Sequence, residues 1–459
     1  MKKPKFQTPS GMHDILSEDQ KYFQKIHSVC EEIANFYGFQ KIETPILEEA
    51  ELFSRGLGLA TDVVQKQMFS FRTRGGDYLT LRPEQTAPIA RAYIEHGMQN
   101  FSQPVKLWYF GPCFRYEHPQ AGRFRQFWQF GFEVLGGEGS VLDAQVLQIF
   151  YNIFKELKFK NLIFEVNSIG DSQCRPYYKK LLTSYFKSRE ASLCLDCRRR
   201  LRENPLRILD CKEEKCQPVK AQAPQILDHL CDNCHKHFRE VLEFLDELDF
   251  PYHLNPYLVR GLDYYTKTVF EIFAETSSHL PERSKEREMN EVHQVSPHPA
   301  SQDSAIEDLP ESKPLGSLAG GGRYDTLVKI LGGKETPAVG GAGGIERIIQ
   351  LMKNKTIRLT KERQIEVFLA QLGNLAKRKS LRLIEDFREA NISISESLDR
   401  DSLKSQLKMA DRIKAKYSLI LGQKEFLEGS IIIRDMASGR QETLKLDKAV
   451  REISKRLKK

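Results

Sequence analysis

No run of apolar residues in this 459-residue chain approaches the roughly 18 needed to cross a bilayer, so no membrane span is expected. Lys2, Lys3 and Lys5 precede no apolar signal core, so export is not expected and the cytoplasm is the expected location. A disulfide framework is missing as well. Of nine cysteines, Cys30, Cys113 and Cys174 are scattered, and six fall between Cys194 and Cys234. Aromatic residues are absent from Ala274–Gly316, which holds five prolines and is rich in Ser, Glu, Lys and His. Such a segment cannot bury enough apolar surface to offset its ordering and reads as a disordered excursion. No glycine fingerprint for a dinucleotide appears near the C-terminus.

What is present is unevenly distributed. The length allows two or three domains with a large core. Residues 363–459 hold 22 Lys+Arg against 14 Asp+Glu, and the remainder holds 48 of each, so the whole net charge of +8 lies in the last fifth of the chain. A basic terminal module on a neutral body suits a polyanion, or is simply a soluble basic domain. The clustered cysteines form Cys194-x2-Cys197, Cys211-x4-Cys216 and Cys231-x2-Cys234. The two CxxC pairs fit one tetrahedral zinc, which makes Cys194, Cys197, Cys231 and Cys234 the expected ligands. Cys211 and Cys216 replace one pair in the alternative, and six reduced thiols in a helical insertion is the third possibility.

Along the chain, Ser17–Gln20 reads as a capped helix start. Phe23, Ile26, Cys30, Ile33 and Phe36–Tyr37 then recur at helical spacing up to Gly38. Phe39–Ile42 reads as a short strand. Tyr78–Ala87, YLTLRPEQTA, reads as a strand leading into a helix, where Glu84 and Thr86 either hold an ammonium group or cap the helix. Leu107–Phe114 and Arg125–Val134 read as two strands around a basic loop, Tyr116–Arg123, with the turn formers Pro119 and Gly122. Arg115 then ends one strand while Gln129, Gly131 and Glu133 share a face of the next. That arrangement suits a phosphate beside a polar small molecule, or is a surface hairpin. Arg260 and Asp263, in LVRGLDYYTKTVFE, are a surface pair on the plainest reading. Gly340–Gly344 reads as a turn opening a helix that carries Glu346 and Arg347. Beyond a polar linker, strands and helices alternate from Glu366 to Leu457, which predicts an α/β sandwich with a mainly parallel sheet.

FRYE followed by GRFRQFWQFGFEV resembles the second signature motif of class II aminoacyl-tRNA synthetases, in nearly the form found in the histidyl-tRNA synthetase family. The helix before Thr44–Pro45 resembles the first motif, LRPEQTA the family's LRPE(G)TA segment with Gln85 where glycine is usual, and GIERI the third motif. LVRGLDYYTKTVFE and GRYD resemble segments particular to the histidine enzymes. The resemblance implies a multidomain α+β and α/β fold: a class II antiparallel sheet flanked by helices, an inserted helical domain and a C-terminal anticodon-binding domain. The expected boundaries are 1–170 and 251–352 for the two catalytic parts, 171–250 for the insertion, 353–362 for a linker and 363–459 for the last domain. It also implies a homodimer. The implied activity is activation of histidine with ATP and Mg²⁺, then transfer to histidine tRNA. Arg115 and Arg260 would meet the α-phosphate and Arg347 the ATP tail. Glu84, Thr86 and Gln129 would hold the α-amino group, Glu133 and Tyr265 the imidazole, with Tyr264 lining that pocket. Gln120 and Arg123 would reach the tRNA acceptor end. The alternatives are a catalytically inactive paralogue serving histidine biosynthesis as a regulatory subunit, and a tRNA-binding regulator.

Overall fold

The structure is a computed structural model that describes residues 5–59, 61–119, 122–274, 316–354 and 365–457. The excursion read at Ala274–Gly316 lies, apart from its two end residues, outside the described residues, as does Gln120. The chain divides into two compact units, Met1–Ile357 and Arg358–Lys459.

The strands of the first unit, in chain order, are β1 Gln40–Lys41, β2 Leu47–Glu49, β3 Phe69–Arg72, β4 Tyr78–Leu81, β5 Val105–Phe114, β6 Gln126–Leu135, β7 Leu162–Ser168, β8 His253–Leu254, β9 Thr266–Ala274, β10 Ala319–Arg323 and β11 Ala338–Gly344. Eight form one sheet in the order β1-β5-β6-β11-β10-β9-β7-β8, and β2-β4-β3 form a small second sheet. The large sheet is antiparallel from β5 to β7, with a parallel pair at each edge. The helix Ser17–Tyr37 buries Phe23, Ile26, Val29, Cys30 and Ala34 and ends at Gly38, whose φ of 75° closes the last turn. Its expected capping box does not form: Leu16 precedes the helix and no side chain caps it.

The glycines of 340–344 also depart from expectation. They do not form a turn but lie in β11, between β6 and β10. The reason is space. A Cβ on Gly341 would stand 2.8 Å from the Phe270 ring and 2.9 Å from that of Phe150, and one on Gly321 would stand 2.1 Å from the Gly340 carbonyl oxygen. Phe150, on the helix Val141–Glu156, packs against Phe130, Phe132 and Phe270 at centroid distances of 5.8, 6.1 and 5.8 Å. Aromatic rings above and glycines below thus let the sheet and helix approach closely.

Residues between β7 and β8 are helical, with Arg175–Lys187, Leu195–Glu203 and Asp232–Glu247 the longest helices. Tyr178, Leu182, Phe186 and Leu201 share one continuous core with Leu258 and Tyr264 of the sheet region. Helix Asp232–Glu247 lies against Val141–Glu156, with His237 Nε2 3.2 Å from Asp143.

In the second unit β12 Val367–Gln371, β13 Ile394–Glu396, β14 Tyr417–Leu421, β15 Ser430–Asp435 and β16 Gln441–Lys445 form a sheet ordered β13-β12-β14-β15-β16. Only half of its pairings are parallel; β14-β15 and β15-β16 are antiparallel. The return at β15-β16 is tight because Asp435 accepts hydrogen bonds from Ser438 and Gly439 takes a φ of 73°.

Candidate active site

β4 runs into Pro83 and then the helix Thr86–Glu95, which fixes Glu84 at the helix start. Its carboxylate accepts the N–H groups of Thr86 and Ala87, both at 2.8 Å, so it caps the helix while lining an open cleft of about 1000 Å³. Burial raises its pKa despite those bonds. Gln85 has a φ of −115°, so the position makes no demand for glycine, and its amide donates to the Gly111 carbonyl. Arg82, fully buried behind it, donates to Thr44 and to the Pro112 carbonyl and ties β4 to the first helix–strand unit.

Thr86, Gln129, Tyr264 and Tyr265 also line the cleft, with the two tyrosine rings 4.6 Å apart. Tyr264 donates to Glu84 at 3.5 Å. Glu133 is buried and is not part of the lining. Its oxygens accept from Thr86 Oγ1 at 2.8 Å and from Tyr324 at 2.6 Å. Burial, with Glu84 nearby, pushes its pKa up to about 8 against those two bonds. A Cβ on Gly340 would collide with it, so glycine there makes its room. Arg115, in the same lining, stacks on Phe127 with 5.3 Å to the centroid and donates to the Pro83 carbonyl. Arg347 donates to the carbonyls of Gly122 and Ser317. Burial first, then Arg123 and Arg115, lower its pKa, which marks a place where positive charge is concentrated.

Arg260 does not pair with Asp263. It pairs with Glu271 of β9, its guanidinium 5.6 Å from the Tyr265 ring centroid, while Asp263 accepts from Asn204. Burial opposes its charge, yet Glu271 and the Tyr265 and Tyr264 hydroxyls hold its pKa above the ordinary arginine value. A Cβ on Gly320 would stand 2.6 Å from it.

Lining residues with no role assigned from sequence include Tyr109, Glu117, Glu271 and Glu346. Glu271 and Tyr109 sit on strands whose alternation fixes which neighbours share their face but not what that face meets, and Glu346 is placed by sequence on the helix of Arg347 without a role. Both Glu346 oxygens accept from the Trp128 N–H, at 2.8 and 3.0 Å, and burial raises its pKa to about 7. The Tyr109 hydroxyl is buried and has no hydrogen-bond partner among the described residues. Arg323 and Asp325 of GRYD are scaffold. Arg323, 0 % exposed, bonds Asp143, Asp325 and the carbonyls of Gly137 and Gly139.

The expected cysteine set is not assembled. Cys194 and Cys197 meet Cys211 and Cys216, whereas Cys231 and Cys234 meet Asp171 and Cys174; within each group the ligating atoms lie within 4.8 Å of one another. The two CxxC pairs begin different helices, and each finds its partner across a different turn. Asp171-x2-Cys174 repeats the CxxC spacing and was the available signal.

An antiparallel sheet with edge strands in parallel, carrying this cleft and joined in sequence to a separate α/β unit, has the fold of the class II aminoacyl-tRNA synthetases. A family model described as histidyl-tRNA synthetase matches residues 11–173, and one described as anticodon binding domain matches residues 366–456. The histidine–tRNA ligase of Dehalococcoides mccartyi is 42% identical over 452 residues, covering 98% of this chain and 100% of its own. That of Pelotomaculum thermopropionicum is 42% identical over 440 residues, covering 96% and 95%. The apo crystal structure of S. aureus histidyl-tRNA synthetase superposes with a TM-score of 0.74 at 32% identity, covering 97% of this chain and 99% of that one. The chain belongs to the histidyl-tRNA synthetase family.

Proposed function

We propose that this cleft joins histidine to ATP and passes the product to histidine tRNA, so that the chain acts as a histidine–tRNA ligase. The observation that carries the reading is the meeting, in the lining of one cleft, of carboxylate, hydroxyl and tyrosine groups with Arg115, Arg260 and Arg347. A histidine carboxylate oxygen attacks the α-phosphorus of ATP, and pyrophosphate leaves. The 3′-terminal hydroxyl of the tRNA then attacks the carbonyl carbon of the mixed anhydride, and AMP leaves. Neither step needs a protein nucleophile. The work is orientation and stabilisation of developing negative charge.

Glu84, Thr86 and Gln129 are assigned to the α-amino group, and Glu133 and Tyr265 to the two imidazole nitrogens, with Tyr264 beside them. Arg115 and Arg260 are assigned to the α-phosphate and Arg347 to the remaining phosphates. Arg123, at the cleft, and Gln120 are assigned to the tRNA acceptor end. A pocket built to bond both imidazole nitrogens rejects look-alike side chains that leave its polar groups unpaired. Mg²⁺ held by the ATP phosphates would supply screening of their charge in this cleft.

Three finer parts complete the reading. A zinc ion on Cys194, Cys197, Cys211 and Cys216 holds the insertion together: Cys194 Sγ and Cys211 Sγ are 3.9 Å apart, close to the roughly 3.8 Å edge of a tetrahedron with 2.3 Å Zn–S bonds. The chain works as a homodimer, supported by the helix Ser17–Tyr37, which leaves Phe36 80% exposed. It works in the cytoplasm; among the described residues no helix is long and apolar enough to cross a membrane. The family's ligases match both units, and no observation favours the regulatory paralogue or the tRNA-binding regulator. Histidine-dependent exchange of labelled pyrophosphate into ATP tests the central step. Exchange that histidine does not stimulate would refute it.

A further inference from the structure

We infer that Asp171, Cys174, Cys231 and Cys234 form a second metal site, tetrahedral and of the zinc class, which ties the start of the inserted segment, where the chain leaves the catalytic sheet, to the start of its last helix. The four ligating atoms lie within 4.8 Å of one another. Asp171 Oδ1 and Cys174 Sγ are 3.7 Å apart, against roughly 3.5 Å for the edge between an oxygen at about 2.0 Å and a sulfur at about 2.3 Å from zinc. Only a small contraction is needed to close the shell.

The backbone holds the group ready. Gly170 takes a φ of 61°, and a Cβ there would stand 2.8 Å from that of Cys174, so the turn out of β7 is built tightly around this cysteine. Asp171 Oδ1 accepts the Gln173 N–H at 2.9 Å. The Cys231 N–H donates to Cys174 Sγ at 3.1 Å, a bond that favours a thiolate and joins the two halves of the site directly. Cys174 and Cys234 are buried, while Asp171 and Cys231 are half-buried, which leaves one side for the ion to enter. Three thiols and a carboxylate packed together without an ion are poorly matched to each other; a divalent ion uses all four as ligands. The separations suit one ion and not an iron–sulfur cluster, whose ligands stand on separate irons.

The position gives the clasp a task. Asp171 and Cys174 precede the helix Arg175–Lys187, and Cys231 and Cys234 begin the helix Asp232–Glu247. The Arg175 N–H donates to the Asp171 carbonyl, and its guanidinium donates to the Tyr265 carbonyl at 2.6 Å. The ion would therefore fix the crossing from β7 into the insertion to the start of the last inserted helix, and brace the backbone of a cleft-lining tyrosine.

Elemental analysis of the full chain, produced with zinc and without chelator, tests this. About two zinc ions per chain are expected. Cys231→Ala/Cys234→Ala should fall to about one, as should Cys194→Ala/Cys197→Ala, and the combination to none, with circular dichroism reporting the fold. Asp171→Asn keeps the carbonyl that accepts the Gln173 N–H and so guards against misfolding; it should lower affinity at this site about tenfold or more in competition with a chromogenic chelator. Wild-type protein with one zinc, iron with sulfide in its place, or Cys231→Ala/Cys234→Ala protein that keeps its full zinc would overturn the site. The measurement uses no substrate, so its failure leaves the assignment of the cleft untouched.

Discussion

Arg260 lines the cleft with its charge already matched by Glu271, and on the assignment proposed above an α-phosphate competes with that carboxylate. The competition favours an arginine that acts on charge developed in the transition state over one that merely binds substrate. Losing one such preorganised donor costs about 3–4 kcal/mol, or roughly two to three orders of magnitude in rate. Arg260→Ala should therefore slow adenylate formation steeply at saturating histidine and ATP, and lysine should rescue poorly because it lacks the planar fork. Rapid-quench measurement decides: a wild-type rate would leave the arginine only the task of pairing Glu271. Glu133 makes a different kind of claim. Its folded-state pKa of about 8 lies above the ordinary 4.5, so the folded protein holds this proton more tightly than the unfolded chain does. The corresponding stabilisation is complete below about 4.5 and is lost as pH rises through about 8. Glu133→Gln cannot titrate. The melting temperature of the wild type relative to this variant should thus decline between pH 5 and 8, and parallel curves would show that the carboxyl has its ordinary pKa.

At the scale of strands and helices, two features set the cleft's shape. The end of β10 is anchored by Arg323, whose partner Asp143 is brought to about 2 by Arg323 and His237 against the opposing effect of burial. Arg323→Ala leaves that carboxylate buried with His237 as its remaining partner and should destabilise the first unit by about 3–5 kcal/mol in urea unfolding. A loss below about 1 kcal/mol would mean that the pair is dispensable. Gly321→Ala sets a Cβ against the backbone of β11, which cannot step aside as a side chain could, so a cost near the top of the usual range of about 1–3 kcal/mol is expected by the same measurement. Much of this level was legible beforehand. The alternation and turn formers of 105–135 placed β5, the basic loop and β6, and the repeat in 17–37 gave a helix ending at Gly38. The glycine-rich β11 was not legible as a strand, because only the rings of Phe150 and Phe270 across the fold explain why it lacks side chains. Glu271 was missed because a glutamate in TVFEIF looks the same whether it faces water or a buried arginine. The cysteine pairs were assigned to one ion because spacing along a chain does not say which pairs meet.

For the whole molecule, the two units differ in charge as well as in fold. The second has its own cores, one around Val367, Leu383, Leu419 and Ile453 and one around Phe368 and Ile420 on the other face of its sheet, so it has the means to fold independently. The net charge of +8 lies in residues 363–459, and the cleft lies wholly in the first unit. Truncation after Ile357 should therefore spare histidine-dependent pyrophosphate exchange and cut tRNA binding. A protein that neutralises phosphates releases their counterions, so the salt dependence of binding measures how many it neutralises. The logarithm of tRNA affinity should fall less steeply with the logarithm of salt concentration in the truncated chain than in the full one. The difference in slope should be roughly 0.7–0.9 for each phosphate that the second unit neutralises. If affinity and slope are both unchanged, the basic unit does not touch the tRNA backbone. If exchange is lost with a folded first unit, the chemistry depends on the second unit as well, and the division of labour drawn from charge and fold fails.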